Sequence, residues 1–157
     1  MITNFEDYKL LRVLNLEGFE EDIELPEAIG KLIHLRYLSL RYSWFKKLPS
    51  SIGNLGYLQT LDLRVGDDWV SVSAVRIPNV LWKMEQLRHL YLPFSSNSKL
   101  RLDGLSNLET LTNFKTRNCD VKDLLKLTNL RKLKAVIDNK QLGDFVTAVI
   151  TTKNRLR

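Results

Sequence analysis

A repeated pattern of leucines constrains this chain more than any other feature. Three segments superpose without a gap: LPEAIGKLIHLRYLSL at 25–40, LPSSIGNLGYLQTLDL at 48–63 and IPNVLWKMEQLRHLYL at 77–92. Each begins with an apolar residue and a proline and ends in LxxLxL. In an extended strand, neighbouring side chains point to opposite faces, so the last two leucines of this pattern share one face. One such strand cannot bury its leucines alone, whereas parallel copies stacked side by side form a continuous core.

The LxxLxL pattern, including weaker forms, occurs six times in the 157 residues. Its copies start at residues 11, 35, 58, 87, 108 and 130, and the spacings of 24, 23, 29, 21 and 22 residues are typical of leucine-rich repeats except for the longest. We therefore predict an α/β fold, a leucine-rich repeat solenoid with a curved parallel β-sheet on its concave face and an irregular, short helical convex side. The chain 1–157 forms a single domain in this interpretation. The predicted strands lie near 11–17, 35–41, 58–64, 87–93, 108–114 and 130–136.

Two segments depart from the repeat. Residues 65–76 contain about six residues more than the period requires, which predicts an inserted surface loop, and this loop carries Trp69 as a possible contact residue. Apolar residues at helical spacing predict an amphipathic helix over 139–152. Asp138, followed three residues later by Gln141, resembles a capping box at the start of this helix.

The sequence contains no recognisable catalytic motif. It has no phosphate-binding loop, no nucleophile elbow and no zinc-binding histidine pair. Its two histidines, His34 and His89, lie in different repeats, and Cys119 is expected to be a small, semi-buried residue and not a reactive thiol. We therefore predict a protein that is not an enzyme and that needs no metal or other cofactor.

Function is then expected at the outward positions of the strands. Six strands form a concave surface roughly 25 Å wide, which is large enough for a protein interface. Tyrosine and arginine, which are favoured at binding hot spots, cluster in its middle. The same alternation places Thr110, Thr112 and Phe114 outward on the fifth strand. The alternative is that each outward residue is only a solvated strand position. The candidate protein-binding residues are Tyr37, Arg41, Asp62, Arg64, His89, Tyr91, Lys132 and Lys134.

The net charge of +6 conceals a gradient along the chain. Residues 1–78 carry a net charge of −2, and residues 79–157 carry +8. Sequence order is spatial order in a solenoid, so one end should be acidic and the other basic. This separation favours docking between complementary protein surfaces. Binding to nucleic acid is not favoured, because the basic end has only Phe114 for stacking.

Several stretches resemble one family of proteins. LLRVLNLEG (10–18), IGKLIHLRYLSLR (29–41), IPNVLWKMEQLRHLYLP (77–93), DGLSNLETLTNF (103–114) and DVKDLLKLTNLRKL (120–133) are similar to the leucine-rich repeats of plant intracellular immune receptors, the coiled-coil, nucleotide-binding disease resistance proteins. The resemblance includes residues that the fold does not require, such as Trp82, Met84 and His89.

The resemblance implies a sensor or inhibitory region that acts in plant defence. Its implied protein partners are a pathogen effector, a guarded host protein or the nucleotide-binding module of the parent receptor. A cytoplasmic location is expected, and no apolar run has the roughly 18 residues that a membrane span needs. Two alternatives remain open: a stand-alone intracellular scaffold and an inactive truncated receptor fragment.

Overall fold

The fold is a stack of six parallel strands. A computed structural model describes residues 5–19, 24–65 and 74–155. In these ranges the strands form one sheet whose spatial order is the chain order, and neighbouring strands pair in parallel. This confirms the predicted leucine-rich repeat solenoid. The strands are β1 Val13–Asn15, β2 Tyr37–Ser39, β3 Thr60–Asp62, β4 His89–Tyr91, β5 Thr110–Lys115 and β6 Lys132–Val136.

The leucines at the centre of the strands form the core. Leu38 pairs in register with Leu61, which pairs with Leu90 and then with Leu111, and all four are fully buried. Their equivalents on the two outer strands, Leu14 and Leu133, are only half-buried. An outer strand has a neighbour on one side only, so the core is closed in the middle of the stack and thinner at both ends.

Short 3-10 helices form the convex side. In the first two full repeats, Pro26 and Pro49 adopt extended backbone angles (φ −71° and −69°) directly before these helices. The pyrrolidine ring favours this φ and removes an amide that would otherwise need a partner. Ile29 and Ile52 then fill the core from behind. The 3-10 helices are Glu6–Tyr8, Glu27–Lys31, Ser50–Asn54, Leu81–Lys83, Val121–Lys126 and Asn139–Gln141.

Glycines allow neighbouring convex turns to approach closely. A Cβ on Gly30 would lie 2.6 Å from the Ser51 side chain, and a Cβ on Gly104 would lie 2.1 Å from the carbonyl oxygen of Trp82. Neither position has room for a larger residue, because both contacts involve atoms close to or within the backbone.

The last convex element is an α-helix, α1, which extends over Leu142–Arg155. It follows the 3-10 turn Asn139–Gln141, whose first residues are capped by the Asp138 carboxylate accepting from the Lys140 amide (3.2 Å). The helix packs on the 3-10 helix Val121–Lys126 of the preceding repeat, and Thr152 Oγ1 donates to the Leu124 carbonyl (3.2 Å). It therefore occupies the place of a convex turn for the sixth strand.

Strand β5 carries one extra residue, and this corrects the expected position of Phe114. The β5–β6 register shifts between Leu111 and Phe114, and Asn113 has a left-handed backbone (φ 59°). The bulge turns the following side chain to the other face. Phe114 is therefore fully buried and contacts Phe145 of α1, with ring centroids 6.4 Å apart. The prediction that Phe114 faces outward was wrong.

The inserted segment is only partly described. Residues 66–73, and with them Trp69, lie outside the described residues. Val75, which the sequence placed in the loop, is fully buried and bridges to Ser96, while Arg76 bridges to Lys47. Val75 and Arg76 therefore belong to the stack, through a short ladder of bridges beside the main sheet.

Candidate protein-interaction surface

The concave face presents two rows of side chains in register. One row contains Tyr37, Thr60, His89, Thr110 and Lys132, and the other contains Ser39, Asp62, Tyr91 and Thr112. Neighbours within a row are about 4.8 Å apart at the backbone. Ser39, Asp62, Thr110 and Thr112 are nonetheless buried.

Asp62 lies beneath Arg64. Arg64 Nε donates to Asp62 Oδ1 (2.9 Å) and Nη2 donates to Oδ2, which makes the pair bidentate. The Asp62 side chain is 6% exposed and that of Arg64 is 35% exposed. The hydrogen bonds to Asp62 raise the pKa of Arg64 above its usual value. Asp62 was expected to face solvent, but it orients the guanidinium and is itself almost inaccessible.

The Arg64 guanidinium also lies over an aromatic ring. Its carbon is 4.5 Å from the centroid of Tyr91 on the next strand, which is a cation–π distance. Arg64 is therefore held between a carboxylate and a ring. Its orientation is fixed before any partner arrives, which reduces the entropy lost on binding.

A second arginine–tyrosine pair lies beside the first. The Arg41 guanidinium is 4.3 Å from the Tyr42 ring centroid and donates to the Tyr42 hydroxyl, while its Nε is buried without a hydrogen-bond partner among the described residues. The Tyr42 amide donates to the Arg64 carbonyl (2.8 Å), which joins the two pairs. We call the set Arg41, Tyr42, Asp62, Arg64 and Tyr91 the Arg–Tyr cluster.

Sequence reasoning missed Tyr42. The alternation rule stops at the end of a strand, and Tyr42 lies just beyond it, with a left-handed backbone (φ 59°) and a side chain that is 44% exposed. The equivalent position in the first repeat is Gly18, which also has positive φ (76°). A glycine at the aligned position was the available sign of a tight turn there.

The remaining candidates do not join this cluster. Tyr37 and His89 lie on β2 and β4 with Thr60 between them, and both are half-buried. Lys132 and Lys134 are exposed on β6, the last strand. The structure thus separates the predicted set into a central arginine–tyrosine group, an inner row and a basic edge.

The described acidic residues Glu17 and Glu27 of the first repeats lie on different sides of the stack. The Glu27 carboxylate accepts from the amides of Ser50 (3.3 Å) and Ser51 (3.0 Å), so it caps the 3-10 helix of the next repeat. Hydrogen bonding to Ser51 is the main cause that lowers the pKa of Glu27. Glu17 accepts from Ser39 Oγ (2.7 Å) on the concave side. Glu20, Glu21 and Asp22 lie outside the described residues.

The described residues offer no apparent reactive or metal-binding centre. Burial raises the pKa of the Cys119 thiol to about 12, which leaves almost no thiolate at neutral pH. No group of three or more His, Cys, Asp or Glu side chains in the described ranges could hold a metal ion. No helix within these ranges is long and apolar enough to cross a membrane.

Comparison with known proteins agrees with this architecture. A family profile described as "Leucine-rich repeat region" matches residues 1–152. The chain belongs to the leucine-rich repeat family. This leucine-rich repeat region is 46% identical over 132 residues to the disease resistance protein RPP8 of Arabidopsis thaliana, an alignment that covers 82% of this chain and 14% of RPP8. The chain spans only 12–16% of the length of the curated relatives it matches.

Solved structures show the same fold. The leucine-rich repeat protein LIC12759 of Leptospira interrogans matches with a TM-score of 0.64 at 25% identity, covering 91% of this chain and 36% of that one. The ectodomain of the plant membrane receptor kinase GASSHO1/SCHENGEN3 from Arabidopsis thaliana, solved in complex with CASPARIAN STRIP INTEGRITY FACTOR 2, matches with a TM-score of 0.60 at 20% identity, covering 90% of this chain and 18% of that one. This fold is a scaffold for protein interactions.

Proposed function

We propose that this leucine-rich repeat region is a non-catalytic protein–protein interaction module, the effector-sensing or autoinhibitory part of a plant immune receptor that acts in defence in the cytoplasm. Its partner is a protein: a pathogen effector, a guarded host protein or the nucleotide-binding module of the parent receptor. The similarity to RPP8 supports the assignment to such a receptor.

The Arg–Tyr cluster carries the proposal. Tyrosine and arginine are enriched at binding hot spots, and here two of each lie side by side on the concave face with their orientations fixed by stacking. Tyr42 is 44% exposed and the Arg64 side chain is 35% exposed, so both can contact a partner. We propose that effector binding at this cluster competes with an inhibitory contact to the nucleotide-binding module.

Site-specific photocrosslinking in plant cells tests this function. A photoreactive phenylalanine analogue replaces Tyr91 in one variant and Val146, which is 45% exposed on the α1 helix, in the control. We expect the probe at position 91 to crosslink to an effector or to a nucleotide-binding module identified by mass spectrometry, and the probe at 146 not to do so. Equal labelling of the same proteins from both positions would exclude the concave face as the sensor surface.

Binding measurements on the identified partner then test the individual residues. We expect the Arg41→Ala and Tyr91→Ala substitutions each to weaken binding by about tenfold, since a hot-spot residue contributes more than about 1 kcal/mol. The matched control Val146→Ala should leave the affinity unchanged. Unchanged affinity in both cluster variants would contradict the proposal.

A further inference from the structure

We propose that the region has a second binding site, at the edge of the sheet where the strands begin, and that this site binds the carboxylate side chains of an acidic segment in a partner protein. It goes beyond the proposed function, because it lies on a different edge from the Arg–Tyr cluster. Arg36 at this edge and Arg41 are five positions apart along an extended chain, a distance of roughly 16 Å.

A shallow cleft of about 270 Å³ lies at this edge, lined by Arg12, His34, Arg36 and Tyr57. Arg12 directly precedes β1 and Arg36 directly precedes β2. The Arg12 carbonyl accepts from the amides of Arg36 (2.8 Å) and Tyr37 (3.1 Å), which fixes the spacing of the two arginines. The sheet therefore holds two guanidinium side chains on neighbouring strands.

Neither arginine side chain has a hydrogen bond or ion pair to any other described residue. The next residue along this edge, Gln59, carries no charge that could neutralise Arg36, and like charges on neighbouring strands are unfavourable. Further along the same edge, Arg88 has Glu109 within 3.9 Å. Among the described residues, the first two repeats thus lack a counterion like Glu109 of the fifth repeat, which pairs with Arg88. An anion bound between Arg12 and Arg36 would relieve the repulsion.

The aromatic part of the cleft argues for a peptide ligand. The rings of His34 and Tyr57 are nearly parallel (16°) with centroids 6.4 Å apart, and the Tyr57 side chain is 55% exposed. They occupy the position that Asn107 and Asn129 hold in later repeats. In those repeats each asparagine amide group donates to a backbone carbonyl of the preceding repeat, Glu85 and Ser106 respectively, at 3.0 Å in both cases.

An acidic peptide fits this combination of two arginines and two exposed rings better than free phosphate or nucleic acid does. A carboxylate matches the fork of a guanidinium, and the exposed rings can contact an apolar neighbour of that carboxylate, which free phosphate cannot offer. Nucleic acid would need a continuous basic track, and Gln59 and Glu109 interrupt the row.

Fluorescence anisotropy on the 157-residue chain tests the site. The probe is a fluorescein-labelled peptide GDELDELG, compared with its uncharged counterpart GNQLNQLG. We expect the acidic peptide to bind and each of Arg12→Gln and Arg36→Gln to weaken it by about fivefold. The control Arg88→Gln removes the same charge at the same edge and should change the affinity by less than about twofold. Circular dichroism checks that all three variants keep the wild-type spectrum, as exposed side chains should.

Three results would overturn the proposal. Equal weakening in Arg88→Gln would indicate attraction by overall charge. Equal binding of the uncharged peptide would indicate a purely apolar contact. Displacement of the peptide by an equal concentration of inorganic phosphate would indicate a phosphate site.

Nuclear magnetic resonance separates this proposal from the proposed function. The Nε–Hε signals of Arg12 and Arg36 should shift when the acidic peptide is added, and those of Arg41 and Arg64 should not. The variant Tyr91→Ala, impaired at the concave face, should bind the acidic peptide as wild type does. Shifts confined to Arg41 and Arg64 would contradict a site at the sheet edge.

Discussion

Arg64 covers Asp62 with a bidentate ion pair, so the carboxylate that the strand pattern directs to solvent is 6% exposed. Two residues of one strand end thus form a fixed unit, which the Tyr91 ring completes from the next strand. Arg41 has no carboxylate partner among the described residues. The two arginines of the Arg–Tyr cluster therefore differ in what their replacement does to the fold.

Arg64→Met should destabilise the chain by about 1 to 2 kcal/mol, because it leaves the Asp62 carboxylate covered and unpaired. Arg64→Glu should lower the free energy of unfolding further, since it places a second carboxylate beside that of Asp62. Urea denaturation measures the free energy of unfolding of both variants. Arg41→Glu, which reverses the neighbouring charge, should change that free energy by less than about 0.5 kcal/mol. Equal losses for the Arg41 and Arg64 variants would show that the ion pair does not stabilise the strand end.

Gly104→Ala should destabilise the solenoid by about 1 to 3 kcal/mol, because the new Cβ would lie 2.1 Å from the Trp82 carbonyl oxygen and force the neighbouring turn to move. The matched control is Gly143→Ala in α1, where a Cβ meets no atom within 4 Å. Alanine there should be neutral or add up to about 1 kcal/mol of stability, as expected in a helix. Thermal unfolding compares the two. If Gly104→Ala were as stable as wild type, the close contact between these turns would be absent in solution.

Glu27 should make stability depend on pH. Its pKa is lowered in the folded chain, mainly by the hydrogen bonds to Ser51, so its contribution is present above the ordinary pKa of 4.5 and is lost as the pH falls through the lowered value. Glu27→Gln cannot titrate. The stability difference between wild type and Glu27→Gln, measured by urea unfolding at pH 7 and at pH 3, should shrink at the lower pH. A difference that is the same at both pH values would mean that the cap does not depend on the charge.

The sequence was sufficient for the repeat and its spatial order. The LxxLxL period places one leucine ladder in the core of the sheet, and a parallel stack is the arrangement that buries it. Leu38, Leu61, Leu90 and Leu111 pair in register as the spacing requires. The period predicts the direction of a side chain only while the strand has no extra residue. The single extra residue at Asn113 turned Phe114 from the concave face into the core.

The sequence was not sufficient for the distribution of charge around the solenoid. Position along the chain predicts position along the stack, but it does not say which side of a turn a charge occupies. The acidic Glu27 caps a convex turn, while Arg12 and Arg36 line a cleft at the sheet edge of the same repeats. An end that is acidic by residue count therefore presents, on one of its edges, two arginine side chains that have no ion pair among the described residues.

The amino-acid sequence by itself determined the class of fold, the number of strands and the identity of the core, because burial of leucines at a fixed period leaves one economical arrangement. Only the tertiary structure decided which outward side chains can contact a partner. Three arrangements depend on how side chains pack in space. Arg64 covers Asp62, Arg41 stacks on Tyr42, and Arg12 and Arg36 line one cleft. The packing and orientation of these side chains cannot be predicted from the spacing of leucines along the sequence.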